Sequence, residues 1–296
     1  MPRAPKLPVG TVEVALRHQS RDRGYLLRAP ADPHTPAALL LELHGRGIPP
    51  IMFDWWTGFS ELADEAGFVL AMPSAIGEVW NDGRYRGSDW PEHEAIDDVG
   101  YLLAVIDDVA ARQAIDPARV YVVGMSNGAT MAGRLAWEHA ERLAAVAQVA
   151  GTVAATIAAG VAAQPVPGVP LPLLEMHGTG DRSVPYDGGR AALWTRLFVR
   201  RRGGPVLGVD EWARRWVERN GAAEGPLVEQ VAADVAVRRW RGPTDASDLA
   251  FYRVEGGGHT WPGARVWMPP HLGHVTRSID ASRVIWAFLS AHRRAA

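Results

Sequence analysis

The 296-residue sequence contains no cysteine, which excludes disulfides, thiolate metal sites and every mechanism with a cysteine nucleophile. It also lacks any apolar run approaching the roughly 18 residues that a membrane helix needs. Residues 1–10 carry Arg3 and Lys6 with no apolar stretch of signal-peptide length behind them. The expectation is a chain with no membrane partner, cytoplasmic as the sequence stands and secreted only if a leader has been removed. An excess of one charge is missing too. A net charge of -2 and a pI near 6.6 leave no electrostatic footprint for nucleic acid, and the short basic run Arg200, Arg201, Arg202 reads as a solvated loop.

What is present is a hydrophobic content of 47% against 22% charged residues, enough to bury a full core. Short strand-like runs alternate with longer amphipathic stretches, the pattern of an α/β protein with a mostly parallel central sheet and helices on both faces. Residues 11–17 and 24–28 read as an opening hairpin, and 37–43, nearly all apolar, as a central strand buried on both faces. A helix is expected over 53–66 and a strand over 68–72. The clearest helix spans 94–114, where Val99, Leu102, Leu103, Ile106 and Val109 recur at helical spacing. Strands follow at 119–123, 144–150, 171–176 and 249–254, with helices at 129–139, 209–219 and 282–293. Residues 152–170 read as an ordered loop. One domain over 1–296 is expected, with an excursion at about 187–226 that partly covers the site.

The chemistry concentrates at strand ends. Gly124-Met125-Ser126-Asn127-Gly128 is a G-x-S-x-G at a junction from strand to helix, the place of a nucleophile elbow. A serine hydroxyl needs a base within hydrogen-bond reach and an anion to orient that base. The glycine-rich turn after 171–176 offers Asp181, with Asp187 and Asp210 as competitors. The loop after 249–254 offers His259. The order serine, acid, histidine is that of an α/β-hydrolase. Backbone N–H groups of Asn127 and of either Arg46 or Gly47, in the turn His44-Gly45-Arg46-Gly47, are the expected oxyanion donors. Trp261, Trp80 and His44 are the candidate substrate-binding residues, because Trp261 follows His259 so closely that its ring is expected to line the pocket. His271 and His274 form an H-x-x-H pair without a clear third ligand, so no metal is expected.

Further blocks sharpen the picture: Leu43-His44-Gly45, Trp80-Asn81-Asp82-Gly83-Arg84, Asp97-Asp98-Val99-Gly100, Val184-Pro185-Tyr186 and Gly257-Gly258-His259-Thr260-Trp261-Pro262-Gly263. Together with the elbow they resemble, in content and order, the polyhydroxybutyrate-depolymerase-like esterases, the group that includes feruloyl and acetylxylan esterases. The resemblance runs from about residue 36 to 290. It implies an α/β-hydrolase fold and an acyl-enzyme mechanism without a cofactor, acting on a small-molecule, polysaccharide-derived or polyester-derived ester. Members often carry cysteines where this chain has Arg46, Val79 and Ala222, and the loss of a disulfide framework fits a reducing compartment. A serine peptidase of the same fold and a non-catalytic scaffold that binds a ligand or partner are the alternatives. The sequence leaves the oligomeric state open.

Overall fold

The computed structural model describes residues 6–30, 32, 35–85, 90–157, 169–190 and 203–294. Among them, ten strands form one sheet in the order β1-β2-β4-β3-β5-β6-β7-β10-β9-β8. The opening hairpin is β1 (Thr11–His18) and β2 (Arg21–Arg28), antiparallel throughout their register. Gln19 and Ser20 turn it with φ of 46° and 63°, the left-handed pair that matches strand twist. The centre is parallel: β4 (Val69–Pro73), β3 (Ala37–Leu43), β5 (Ile115–Met125), β6 (Ala145–Val149), β7 (Leu173–Gly178) and β10 (Leu249–Val254). Every residue of β3, β4, β6 and β7 is buried, as expected where helices cover both faces of a sheet.

Helices α1 (Pro50–Thr57), α2 (Phe59–Ala66) and α6 (Ala281–Ser290) cover one face through Phe53, Phe59, Ile285 and Leu289. Helices α3 (Asp98–Arg112), α4 (Asn127–Glu138) and α5 (Val209–Asn220) cover the other, with Leu102, Val105, Leu135, Trp212 and Trp216 in that core. Two boundaries differ from the sequence expectation for identifiable reasons. The helix expected over 53–66 is two helices, because Gly58, at φ 72°, closes α1 and opens α2. The helix expected from residue 94 starts at Asp98, because the Asp97 side chain accepts the Gly100 N–H at 2.8 Å and caps it.

The sequence reading places no strands between 220 and 248, where the structure has the hairpin of β8 (Glu224–Ala232) and β9 (Val235–Arg241). Strand β8 is the edge of the sheet and eight of its nine residues are exposed. With no face to bury, it has no alternation to read. Most of the loop at 152–170, the centre of the excursion at 187–226 and the run Arg200 to Arg202 lie outside the described residues. The excursion's described part returns at Val206, which bridges to Ala154 and Gly189, and continues into α5, stopped by Gly221 at φ 62°.

Among the polar residues buried in the central strands, Glu175 is distinguished by its lack of partners. Glu175, in mid-β7 opposite Gln148, is fully buried, and among the described residues neither carboxyl oxygen has a hydrogen-bond partner. Burial pushes its carboxyl well above the usual range, so it is held protonated. Below the unfolded value of about 4.3 both states keep the proton. As pH rises, the unfolded chain ionises first and is favoured until the buried group itself ionises. Glu175→Met is therefore expected to stabilise the protein by about 1–3 kcal/mol at pH 4 and by more at pH 8. Thermal unfolding at the two pH values checks this, and equal gains at both would refute it.

Candidate active site

Strand β5 and helix α4 meet in a turn too tight for ordinary residues. Ser126 sits there at φ 58° and ψ −120°, a strained conformation for a side chain that bears a Cβ. A Cβ on Gly124 would lie 2.3 Å from the Gly128 carbonyl oxygen, and one on Gly128 would lie 2.1 Å from that of Leu43. Both glycines are therefore required by contact with backbone. The turn is held by the Ser126 N–H, which donates to Val149 at 2.9 Å, and by the Thr130 N–H, which donates to the Ser126 carbonyl at 2.9 Å.

Three of the residues singled out from sequence come together on this turn, from three separate strand ends. His259 Nε2 lies 2.8 Å from Ser126 Oγ, and His259 Nδ1 lies 2.7 Å from Asp181 Oδ2. The other Asp181 oxygen accepts the N–H groups of Ser183 and Val184, each at 2.8 Å. Burial pushes the Asp181 carboxyl up, but the His259 charge and hydrogen bond, with His177 and the Val184 amide, outweigh it and hold it below the usual carboxylate range. Of the competing acids, Asp210 is ion-paired with Arg238 at 2.6 Å, and Asp187 is exposed at the surface.

The turn after β3 separates the two oxyanion candidates. The Gly47 N–H donates to the Glu78 carbonyl at 2.9 Å, which commits that amide elsewhere. The Arg46 guanidinium donates to the Tyr85 hydroxyl at 3.0 Å. Tyr85 in turn packs edge-on against Trp90 and His93, which stack on each other at 4.0 Å. Trp90 stands among the tryptophans that the sequence places near the catalytic edge, whereas nothing local in the sequence singles out Tyr85 or His93. Asn127 is the first residue of α4, so its N–H has no carbonyl one turn back within the helix. Its side-chain oxygen accepts the Trp80 N–H at 2.7 Å, and its Nδ2 donates to Trp80 and Asp82.

The three candidate substrate-binding residues are corrected by the structure. Trp261 is 1% exposed; its ring lies edge-on between Phe53 and Phe59, and its indole N–H donates to Ser282 Oγ at 3.1 Å. It turns into the core because it is apolar on both faces and finds a partner for its single donor there. Trp80 is fully buried, with its indole N–H on the His44 carbonyl at 2.9 Å. His44 is fully buried, Nδ1–H donating to the Gly45 carbonyl at 2.9 Å and Nε2 accepting the Ala75 N–H at 3.1 Å. Burial lowers its pKa to about 4, so it is a neutral fixture of the turn. His271 and His274 are not part of any metal-holding group among the described residues, and no helix among them is long and apolar enough to cross a membrane.

The sequence profile described as Esterase PHB depolymerase matches residues 25–169, which include Ser126. A putative esterase, NocK, of Nocardia uniformis subsp. tsuyamanensis is 30% identical over 280 residues, covering 91% of this chain and 79% of that protein. This chain belongs to that esterase family. The feruloyl esterase B of Piromyces equi is 26% identical to the esterase over 234 residues; the match covers 75% of this chain but only 39% of the longer fungal protein. An acetyl xylan esterase from Aspergillus awamori superposes with a TM-score of 0.60 over 84% of this chain and 94% of its own, at 14% identity. That likeness shows the α/β-hydrolase fold.

Proposed function

We propose that the esterase, acting as a single catalytic domain, hydrolyses short-chain and aromatic carboxylic esters through an acyl-enzyme on Ser126. The observation that carries this is the unbroken hydrogen-bonded series Asp181, His259, Ser126 on a turn with positive φ at the carboxyl edge of the sheet. In this reading His259 Nε2 takes the hydroxyl proton as Oγ attacks the ester carbonyl. Asp181 stabilises the imidazolium, and the N–H groups of Asn127 and Arg46 hold the oxyanion. His259 then protonates the departing alcohol. Water, deprotonated by the same imidazole, cleaves the acyl-serine ester and restores Ser126.

The acyl preference rests on the feruloyl and acetylxylan esterases among the relatives. It also rests on a flat apolar wall close to the oxyanion turn. Since Trp261 is buried, we assign that wall to the half-buried Trp90 beside Tyr85 and Arg46. The expected order of kcat/KM places methyl ferulate and p-nitrophenyl acetate ahead of hydroxybutyrate oligomers, and p-nitrophenyl palmitate last. A preference for palmitate in that panel would overturn the assignment of substrate.

A further inference from the structure

The loop that carries His259 is pinned largely by other loops. The His259 N–H donates to the Leu272 carbonyl at 2.6 Å, the Thr260 hydroxyl to that of His274 at 3.0 Å, and the Gly263 N–H to that of Thr276 at 2.8 Å. None of these bonds refers the imidazole to the sheet on which Ser126 stands. Trp261 does. Its indole passes between α1 and α2, with ring centroids 5.5 Å from Phe53 and 6.0 Å from Phe59. From its N–H a buried series of hydrogen bonds runs on. Ser282 Oγ, at the start of α6, accepts from Trp261 and donates to the Thr57 carbonyl at 2.6 Å. The Thr57 hydroxyl, at the end of α1, donates to Glu42 Oε1 at 2.6 Å.

Glu42 belongs to β3, and in the parallel pair it stands opposite Val123 of β5, three residues before Ser126. The nucleophile and the loop of the base are thus both referred to the β3–β5 pair, one through the strand and the other through Trp261, Ser282, Thr57 and Glu42, with the Thr57 main-chain carbonyl as one link. Trp261, Ser282, Thr57 and Glu42 are each less than 5% exposed, so water does not compete for these bonds. Burial, reinforced by the charge of Asp54, holds the Glu42 carboxyl well above the usual range, and the series ends on a neutral acid.

We propose that Trp261 is a positioning residue for the esterase reaction, its bond to Ser282 setting the approach of His259 to Ser126. The proposal rests on the triad reading given above. Its energetic basis is the steepness of proton transfer with geometry, since a displacement of about 1 Å can cost on the order of 10²-fold in rate.

The test uses Trp261→Phe, which keeps a ring between Phe53 and Phe59 but lacks the N–H, Ser282→Ala, which lacks the acceptor, and the double variant. Turnover of p-nitrophenyl acetate and the rate of fluorophosphonate labelling are measured per titrated active site, which removes any difference in the amount of folded protein. Each single variant is expected to lose about tenfold in kcat and in labelling rate, with KM unchanged. The double variant is expected to lose no more than either single one, because both remove the same bond. Wild-type rates per active site in the single variants, or losses that multiply in the double variant, would overturn the proposal. Failure of the wild-type protein to be labelled at Ser126 would instead overturn the triad reading on which it rests.

Discussion

Ser126→Ala is expected to lower kcat for any ester by at least about 10⁴-fold while leaving the fold intact. The two halves of that expectation have separate grounds. Among the described residues the hydroxyl makes one side-chain hydrogen bond, at 2.8 Å to His259, and it does not cap the helix it precedes. The bonds that hold the turn belong to the backbone, from the Ser126 N–H to Val149 and from the Thr130 N–H to the Ser126 carbonyl. Alanine keeps both and meets the same strain at φ 58° that serine does. Unfolding curves of the variant should therefore overlay those of the parent to within a degree or two. What is lost is the atom that becomes acylated, so residual turnover can come only from water attack on an ester polarised by the oxyanion donors. The measurement is steady-state turnover together with mass spectrometry of the inhibited protein. Activity retained in the alanine variant, or a fluorophosphonate adduct on any other residue, would remove Ser126 from the mechanism.

The residues that sequence made legible are those whose side chains answer to one nearby constraint. Gly124 and Gly128 must be glycine because backbone lies 2.3 Å and 2.1 Å from where a Cβ would stand, so the elbow could be read from five letters. The central strands announced themselves by being apolar at nearly every position. Gly47 failed as an oxyanion donor for a reason no local pattern contains: its N–H is used by Glu78, 31 positions away in the chain. Trp261 failed for a similar reason. Two positions from His259 it lies close in sequence, yet the ring takes the side where Phe53, Phe59 and Ser282 complete its contacts. Edge strand β8 has a third kind of illegibility, since exposure leaves it nothing to alternate. Proximity in sequence fixes where a backbone goes; it does not fix which face a large side chain buries.

Asp181→Asn is expected to approach the serine variant in severity, with a fall in kcat of about 10⁴-fold, whereas Asp187→Asn and Asp210→Asn should remain within about threefold of the parent. The argument follows the hydrogens. Asp181 Oδ1 already accepts two backbone N–H groups, so in the asparagine variant the carbonyl oxygen takes that place and the NH₂ group is turned toward His259 Nδ1. Two donors then face each other across 2.7 Å. The imidazole relieves this by placing its proton on Nε2, the nitrogen that must accept from Ser126. A base in the wrong tautomer cannot activate the serine, and the imidazolium that would form has lost its counter-charge. The carboxyl is held below the usual carboxylate range by the same partners, so it is ionised at neutral pH. Asp210 serves Arg238 on the surface and Asp187 stands in solvent, so neither change reaches the imidazole. Comparing kcat of the three variants on p-nitrophenyl acetate decides the matter. An Asp187→Asn or Asp210→Asn protein more damaged than Asp181→Asn would mean that the carboxylate bonded to His259 is not the one that orients it during turnover.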